Sequence, residues 1–86
     1  MARATFRFYE ELNDFLPKHK RKTDFALTFN DKRSIKDAIE SLGVPHTEID
    51  LILVNGTSVD FGYILQDQDR VSVYPVFESL NITAVT

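Results

Sequence analysis

The chain of 86 residues has no cysteine and no tryptophan, and it contains only three glycines, three prolines and two histidines. Without cysteine it can form neither a disulfide nor a cysteine–metal site. No segment approaches the roughly 20 consecutive apolar residues that a membrane-spanning helix needs. The first residues do not resemble a secretory signal peptide, because Glu10 and Glu11 arrive too early. We therefore expect a cytoplasmic, soluble domain.

The sequence does contain enough apolar residues for one small core. Hydrophobic residues make up 43% of the chain and seven of them are phenylalanine, which argues against intrinsic disorder. A folded chain of this length buries roughly 60% of the surface that it exposes when unfolded. We expect one domain over residues 1–80, followed by a tail or the start of a linker over residues 81–86.

Basic residues are concentrated in one short segment. The formal net charge is −3, but residues 18–22 hold four of the ten Lys and Arg, which leaves six basic against 13 acidic residues elsewhere. Any affinity for polyanions must therefore be local, and Lys18, Lys20, Arg21 and Lys22 are candidate RNA contacts. Such contacts would be weak and salt-sensitive. The alternative is a solubilising loop, and no aromatic residues alternate with these cations to stack on bases.

The N-terminal third predicts two strands separated by a polar connector. Ala4, Phe6 and Phe8 alternate with polar or amphipathic residues, and residues 25–29 repeat this two-residue period. The connector predicts a short helical turn that ends at Pro17 and packs three apolar side chains against the core: Leu12, Phe15 and Leu16.

One helix is predicted after the second strand. Ser34 is placed to cap its N-terminus, with Asp37 three residues later in an approximate capping box. Its apolar positions are spaced i, i+3, i+4 and i+7: Ile35, Ala38, Ile39 and Leu42. Gly43 and Pro45 then end the helix.

The second half predicts the remaining strands. Residues 49–54 form an apolar strand that ends at Asn55-Gly56, a favoured pair for a tight hairpin turn. A short return strand, a turn at residues 67–69 and a last strand at residues 70–77 follow, with Pro75 marking an edge or an exit. This order predicts an α+β fold of the β-grasp type, a mixed sheet of four to five strands with one main helix packed on one face. The first and last strands are expected side by side in the middle.

The segments RFY, SIKDAIESLGVP, VNG and ILQDQDRVSVYP resemble the ubiquitin-like sulfur carriers of the MoaD/ThiS family, which includes the small subunit of molybdopterin synthase. The turn that is usually Asp-Gly-Asp in that family is Asp67-Gln68-Asp69 here. The run VNGTSVDFGYILQDQDRVSVYPVFESLNIT is more similar to the ubiquitin-like domain that stands N-terminal to Mut-seven-C PIN-like RNase domains. This resemblance implies an accessory domain whose last strand continues into a linker.

Carrier chemistry and catalysis are both disfavoured. Sulfur carriers act through a C-terminal diglycine, whereas the glycines of this sequence lie inside the predicted fold: Gly43, Gly56 and Gly62. The two histidines, His19 and His46, lie in polar connectors, and no nucleophile is paired with a base. Asp67 and Asp69 are interpreted as turn formers rather than a cation site. We expect no catalytic residues, no metal and no cofactor.

The sheet face opposite the helix is the second candidate surface. If Ile52 and Val54 point to the helix, alternation places Leu51 and Leu53 on the other face, with Tyr9 and Tyr74 on flanking strands. This would form a protein-interaction patch. The alternatives are a reversed parity or a C-terminal segment that covers the face. The leading hypothesis is a monomeric, non-catalytic docking domain of an RNase-type protein, and the alternatives are a sulfur carrier or a free-standing RNA-binding domain.

Overall fold

A computed structural model describes residues 1–76 of the chain. Within them it contains five strands, one α-helix and three short 3₁₀ segments. The strands are β1 (Ala2–Phe8), β2 (Phe25–Phe29), β3 (Ile49–Val54), β4 (Thr57–Val59) and β5 (Arg70–Pro75), and the helix is α1 (Ile35–Ser41). The 3₁₀ segments span Glu10–Phe15, Lys18–Lys20 and His46–Glu48. The expected domain end at residue 80 and the tail at 81–86 lie outside the described residues.

The strands form one mixed sheet in the order β2-β1-β5-β3-β4. The first and last strands, β1 and β5, are parallel and lie in the middle, and all other neighbours are antiparallel. The predicted β-grasp arrangement is therefore confirmed. The β3–β4 hairpin turns at Asn55 and Gly56, whose φ angles of 52° and 86° fit the tight turn that the pair predicts.

The core fills the space between α1 and one face of the sheet. From the helix, Ile35, Ala38 and Ile39 are fully buried, as their spacing predicts. From the two central strands, the inward side chains are also buried: Ala4, Phe6, Phe8, Val71 and Val73. Ser34 Oγ accepts a hydrogen bond of 3.1 Å from the Asp37 N–H, so the predicted N-cap is confirmed. These contacts fix which face of the sheet remains uncovered by the helix.

The prediction that Phe15 packs against the core is wrong. Its side chain is 42% exposed, whereas Leu12 and Leu16 are buried. Asn13 is buried instead, and its amide donates to the carbonyl oxygens of Phe8 (3.1 Å) and Glu10 (2.9 Å). Phe15 is the last residue of the 3₁₀ segment, and the backbone becomes extended at Leu16, which points back into the core.

Gly43, at the end of α1, has a backbone conformation that favours glycine. Its φ is +95°, and a Cβ added there would lie 3.3 Å from the backbone carbonyl oxygen of Phe15. We expect Gly43→Ala to lower the free energy of unfolding by about 1–2 kcal/mol, measured by urea denaturation. Gly62→Ala is the control, because Gly62 lacks a positive φ and its Cβ would meet only the Asp60 side chain at 3.4 Å. Equal losses in both variants would contradict this explanation.

Candidate docking face on the open side of the sheet

The sheet face opposite α1 is called the open face below. Every second residue of the central strands lies on it. In the pairing register, Arg7 is opposite Ser72, Ser72 is opposite Leu53, and Tyr74 is opposite Leu51. Ile52 and Val54 are buried on the helix side, whereas Leu51 is 38% exposed and Leu53 is half-buried. The structure therefore places Leu51 and Leu53 on the face that strand alternation predicts.

Two tyrosines from neighbouring strands stack on the open face. Tyr9 extends the β1 ladder, because its N–H donates to the Val73 carbonyl oxygen at 3.1 Å. Its ring lies parallel to that of Tyr74, with 4.5 Å between the ring centroids and 10° between the planes. Burial in this stack, together with the neighbouring Tyr9 phenol, raises the pKa of Tyr74. The two stacked rings lie beside Leu51 on the open face.

The open face also carries a cluster of two arginines and one aspartate, which the sequence analysis missed. Asp24 lies between Arg7 and Arg70, with a distance of 3.7 Å from Arg7 Nη1 to Oδ1 and 3.5 Å from Arg70 Nη2 to Oδ2. The Arg7 guanidinium carbon lies 5.5 Å from the centroid of the Tyr9 ring. The only sequence signal was the alternation itself, which places Arg7 and Ser72 on the same face as the tyrosines.

A small cavity of about 60 Å³ lies within this cluster. The polar residues that line it include Thr5, Arg7, Asp24, Arg70 and Ser72. Arg7 Nε is buried and has no hydrogen-bond partner among the described residues. A buried donor without a partner is uncommon in folded proteins and indicates a place where a further acceptor could bind.

The basic segment at residues 18–22 does not form one continuous cationic surface. Lys20 Nζ lies 5.1 Å from the centroid of the Phe25 ring, and Arg21 Nε donates to the Leu16 carbonyl oxygen at 2.8 Å. Lys18 is exposed. Lys22 borders a cavity of about 200 Å³ that Arg7 and Tyr9 also line. Of the four predicted RNA contacts, the structure therefore brings only Lys22 next to the open face.

The turn at residues 67–69 is held by hydrogen bonds to both of its aspartates. Gln68 has a φ of +73°, and Asp67 Oδ1 accepts a hydrogen bond of 2.8 Å from the Arg3 N–H, which lowers the pKa of Asp67. Asp69 is buried, and its carboxylate accepts hydrogen bonds from the Asn55 amide, the Tyr63 hydroxyl and the Gln66 N–H. The two aspartates are thus turn formers with internal partners.

His46 has a local structural partner. Its ring Nδ1 is hydrogen-bonded to the Glu40 carboxylate, and its N–H donates to the same carboxylate at 3.2 Å. These bonds lower the pKa of Glu40. The ring edge also faces Phe61, with 5.4 Å between the centroids. His46 lies in a polar connector, as the sequence indicates, and these contacts leave it half-buried.

Residues 1–76 contain no group of three or more histidines and carboxylates close enough to share a metal ion. No helix in this part of the chain combines the length and the apolar character needed to cross a bilayer.

Comparison with known proteins assigns the family. Residues 1–81 match the family model described as Mut7-C ubiquitin. The chain belongs to the Mut7-C ubiquitin family. No functionally curated protein matches the sequence.

Solved structures of other proteins share the fold of this Mut7-C ubiquitin domain. A crystal structure of small archaeal modifier protein 1 from H. volcanii aligns with a TM-score of 0.67 and 14% identity, covering 90% of this chain and 100% of the other. A putative molybdopterin converting factor, subunit 1, from Pyrococcus furiosus aligns with a TM-score of 0.67 and 16% identity, with the same coverage. At these identities the likeness shows the ubiquitin-like fold alone.

Proposed function

We propose that this Mut7-C ubiquitin domain is a non-catalytic docking module of an RNase-type protein, and that it binds a protein partner through the open face. The observation that carries the proposal is the apolar Leu51 beside the stacked Tyr9–Tyr74 pair, with arginines at the border of the patch. Aromatic residues and arginine are the side chains most enriched in protein interfaces. Because the sheet already holds these side chains in place, less conformational entropy is lost on binding.

Family membership supports the identity of the partner. The ubiquitin-like domains that this sequence resembles stand N-terminal to a PIN-like RNase domain, so that domain is the partner that we propose. Docking of the two would hold the RNase in a fixed orientation. The basic segment, through Lys22, would lie beside the contact.

A sulfur-carrier role is the second candidate, and the fold shared with the molybdopterin converting factor subunit favours it. A carrier needs flexible glycines that pass through the channel of its activating enzyme. Here Gly43 follows α1 and Gly56 forms the β3–β4 turn, and residues 76–86 contain no glycine. Mass spectrometry after incubation with an activating enzyme, ATP and a sulfur donor should show no replacement of a carboxylate oxygen by sulfur.

The docking proposal predicts that a charge on the apolar part of the open face blocks binding. We expect Leu51→Asp to weaken binding to the PIN-like RNase domain from the same genome at least about tenfold, because burying an unpaired carboxylate in an apolar contact is strongly unfavourable. Isothermal titration calorimetry measures the affinity.

Ile64→Asp is the matched control for this experiment. Ile64 is 40% exposed, close to the 38% of Leu51, but it is paired with Ser34 on the side of the molecule that carries α1. The control should bind like the wild type. Undetectable binding of the wild type, or an equal loss in both variants, would refute docking through the open face.

A further inference from the structure

In the Arg7–Asp24–Arg70 cluster, the two guanidinium groups have more N–H donors than the Asp24 carboxylate accepts from. The contacts of 3.7 and 3.5 Å are longer than the approximately 2.7–2.9 Å of a tight charge-assisted hydrogen bond. Each contact involves one terminal nitrogen, although a guanidinium can donate through five N–H groups. The buried Nε of Arg7 has no partner within residues 1–76. Asp24 therefore neutralises the two arginines only partly.

The surroundings of the cluster match a carboxylate in size and chemistry. The cavity of about 60 Å³ is larger than the share of one water molecule, about 30 Å³, so a group of a few atoms can enter it. Thr5 and Ser72 line the cavity together with Arg7 and Arg70. Hydroxyl groups and guanidinium groups together provide donors for both oxygens of an incoming carboxylate.

The aromatic side chains beside the cluster favour a polypeptide over a nucleic acid. Tyr74 stacks against the Tyr9 ring and the Arg7 guanidinium also lies against Tyr9, so the Tyr9 ring is already in use. Single-stranded nucleic acid is bound through aromatic faces on which bases stack. By contrast, the exposed Leu51 next to Tyr74 fits an apolar side chain. Charge and shape together fit an acidic peptide segment with an apolar residue nearby.

We propose that Arg7 and Arg70 form a carboxylate-binding subsite for an acidic segment of a protein partner, with Asp24 as the internal anion that occupies the arginines in the free domain. The incoming glutamate or aspartate binds both guanidinium groups and displaces Asp24. This inference rests on the proposed docking function and specifies the chemistry of its partner. It also assigns Asp24 an opposing role, because it competes with the ligand for the same arginines.

The test is an NMR titration of the ¹⁵N-labelled domain with hexaglutamate at low salt. We expect shifts of the Thr5, Arg7, Arg70 and Ser72 amides. Arg70→Gln should weaken binding about fivefold, the effect of about 1 kcal/mol for one partly exposed ion pair, and Asp24→Asn should strengthen it by a similar factor. Arg7→Gln is the second loss variant, because Arg7 also lines the cavity and should weaken binding as well.

Two controls separate the subsite from the overall charge of the chain. Lys18→Gln and Asp14→Asn change the net charge by the same amounts as the arginine and Asp24 variants, at exposed positions outside the cluster. Both should leave the affinity within about twofold, since distant surface charges are largely screened. A strengthening by Asp14→Asn equal to that by Asp24→Asn would overturn the competition. Thermal unfolding of each variant shows whether it is folded.

A second probe distinguishes the classes of ligand. Hexauridylate is titrated under the same conditions; tighter binding of this RNA at the same amides would overturn the peptide assignment in favour of nucleic acid. Absence of hexaglutamate binding would also overturn the proposal. If the RNase domain binds in a Leu51-dependent manner but the arginine variants have no effect, the carboxylate subsite fails and the docking function stands.

Discussion

Asp69→Asn is expected to lower the free energy of unfolding by about 2 kcal/mol and to lower the pKa of Tyr63. The buried carboxylate has two oxygens and three donors: Asn55 Nδ2 at 2.9 Å on Oδ1, and the Tyr63 hydroxyl at 2.7 Å and Gln66 N at 2.9 Å on Oδ2. An amide retains only one acceptor oxygen, and its NH₂ group would face a donor. Hydrogen bonds to a charged group contribute about 1.5–3 kcal/mol each, so losing one or more is costly.

The pKa of Tyr63 should also respond to the loss of the Asp69 carboxylate. Burial and the hydrogen bond to Asp69 raise the pKa of Tyr63 from 10.0 to about 12. The folded state therefore keeps the phenol proton while an unfolded chain has lost it. This stability contribution is complete below pH 10 and is lost as the pH rises from 10 to about 12. In Asp69→Asn the negative charge is absent, so the pKa of Tyr63 should move back toward 10.

Urea denaturation measures the stability loss, and the pH dependence of the Tyr63 ring ¹³C resonance measures its pKa. Asp67→Asn is the matched control in the same turn. The Asp67 carboxylate is exposed and accepts a hydrogen bond from the Arg3 N–H, and it is not hydrogen-bonded to Tyr63. We expect a smaller stability loss and an unchanged Tyr63 pKa in the control. An unchanged Tyr63 pKa in Asp69→Asn would show that burial alone raises it.

The hydrogen bonds around Asp69 also help to position Arg70 on the open face. Asn55, which donates to Asp69, accepts a hydrogen bond of 3.0 Å from the Arg70 N–H and donates its own N–H to the Arg70 carbonyl oxygen at 2.9 Å. The start of β5 is thereby tied to the β3–β4 turn. Because Arg70 is the first residue of β5, these bonds fix the backbone that carries one of the two guanidinium groups.

The sequence predicts the parts of this structure that depend on local spacing. Phe6 and Phe8 alternate along one strand, Ile35 and Ile39 share one helix face, and Asn55-Gly56 specifies its own turn. These signals need only neighbours within a few residues. Together with the order of the elements, they were sufficient for the β-grasp fold and for the face on which Leu51 lies.

The parts that could not be predicted depend on contacts between distant positions. Asp24 and Arg70 are 46 residues apart and meet because β2, which follows Asp24, pairs with one side of β1, and β5 pairs with the other side. Asn13 is another example, because its Oδ1 accepts from the Lys22 N–H nine residues away at 2.7 Å. Periodicity describes which residues are apolar, but it does not show which polar residue is buried to satisfy the backbone.

Two phenylalanines that the sequence predicts to be core residues differ in their burial. Phe6 is fully buried, and its ring stacks on Phe8 and Phe25 with centroid distances of 6.1 and 6.3 Å. Phe15 is 42% exposed, whereas Asn13, two residues earlier, is buried and hydrogen-bonded to the Phe8 carbonyl oxygen. The sequence alone predicts both as core residues, whereas the structure gives them very different burial.

Phe6→Ala is therefore expected to lower the free energy of unfolding by about 3–5 kcal/mol, through lost burial and the cavity that remains. A domain of this size has a total stability toward the lower end of about 5–15 kcal/mol, so this variant should be largely unfolded at moderate urea concentrations. Phe15→Ala removes the same atoms and should cost only about 0.5 kcal/mol. Urea denaturation of both variants measures the difference. Similar losses in the two variants would mean that Phe15 is packed against the core, as its sequence pattern indicates.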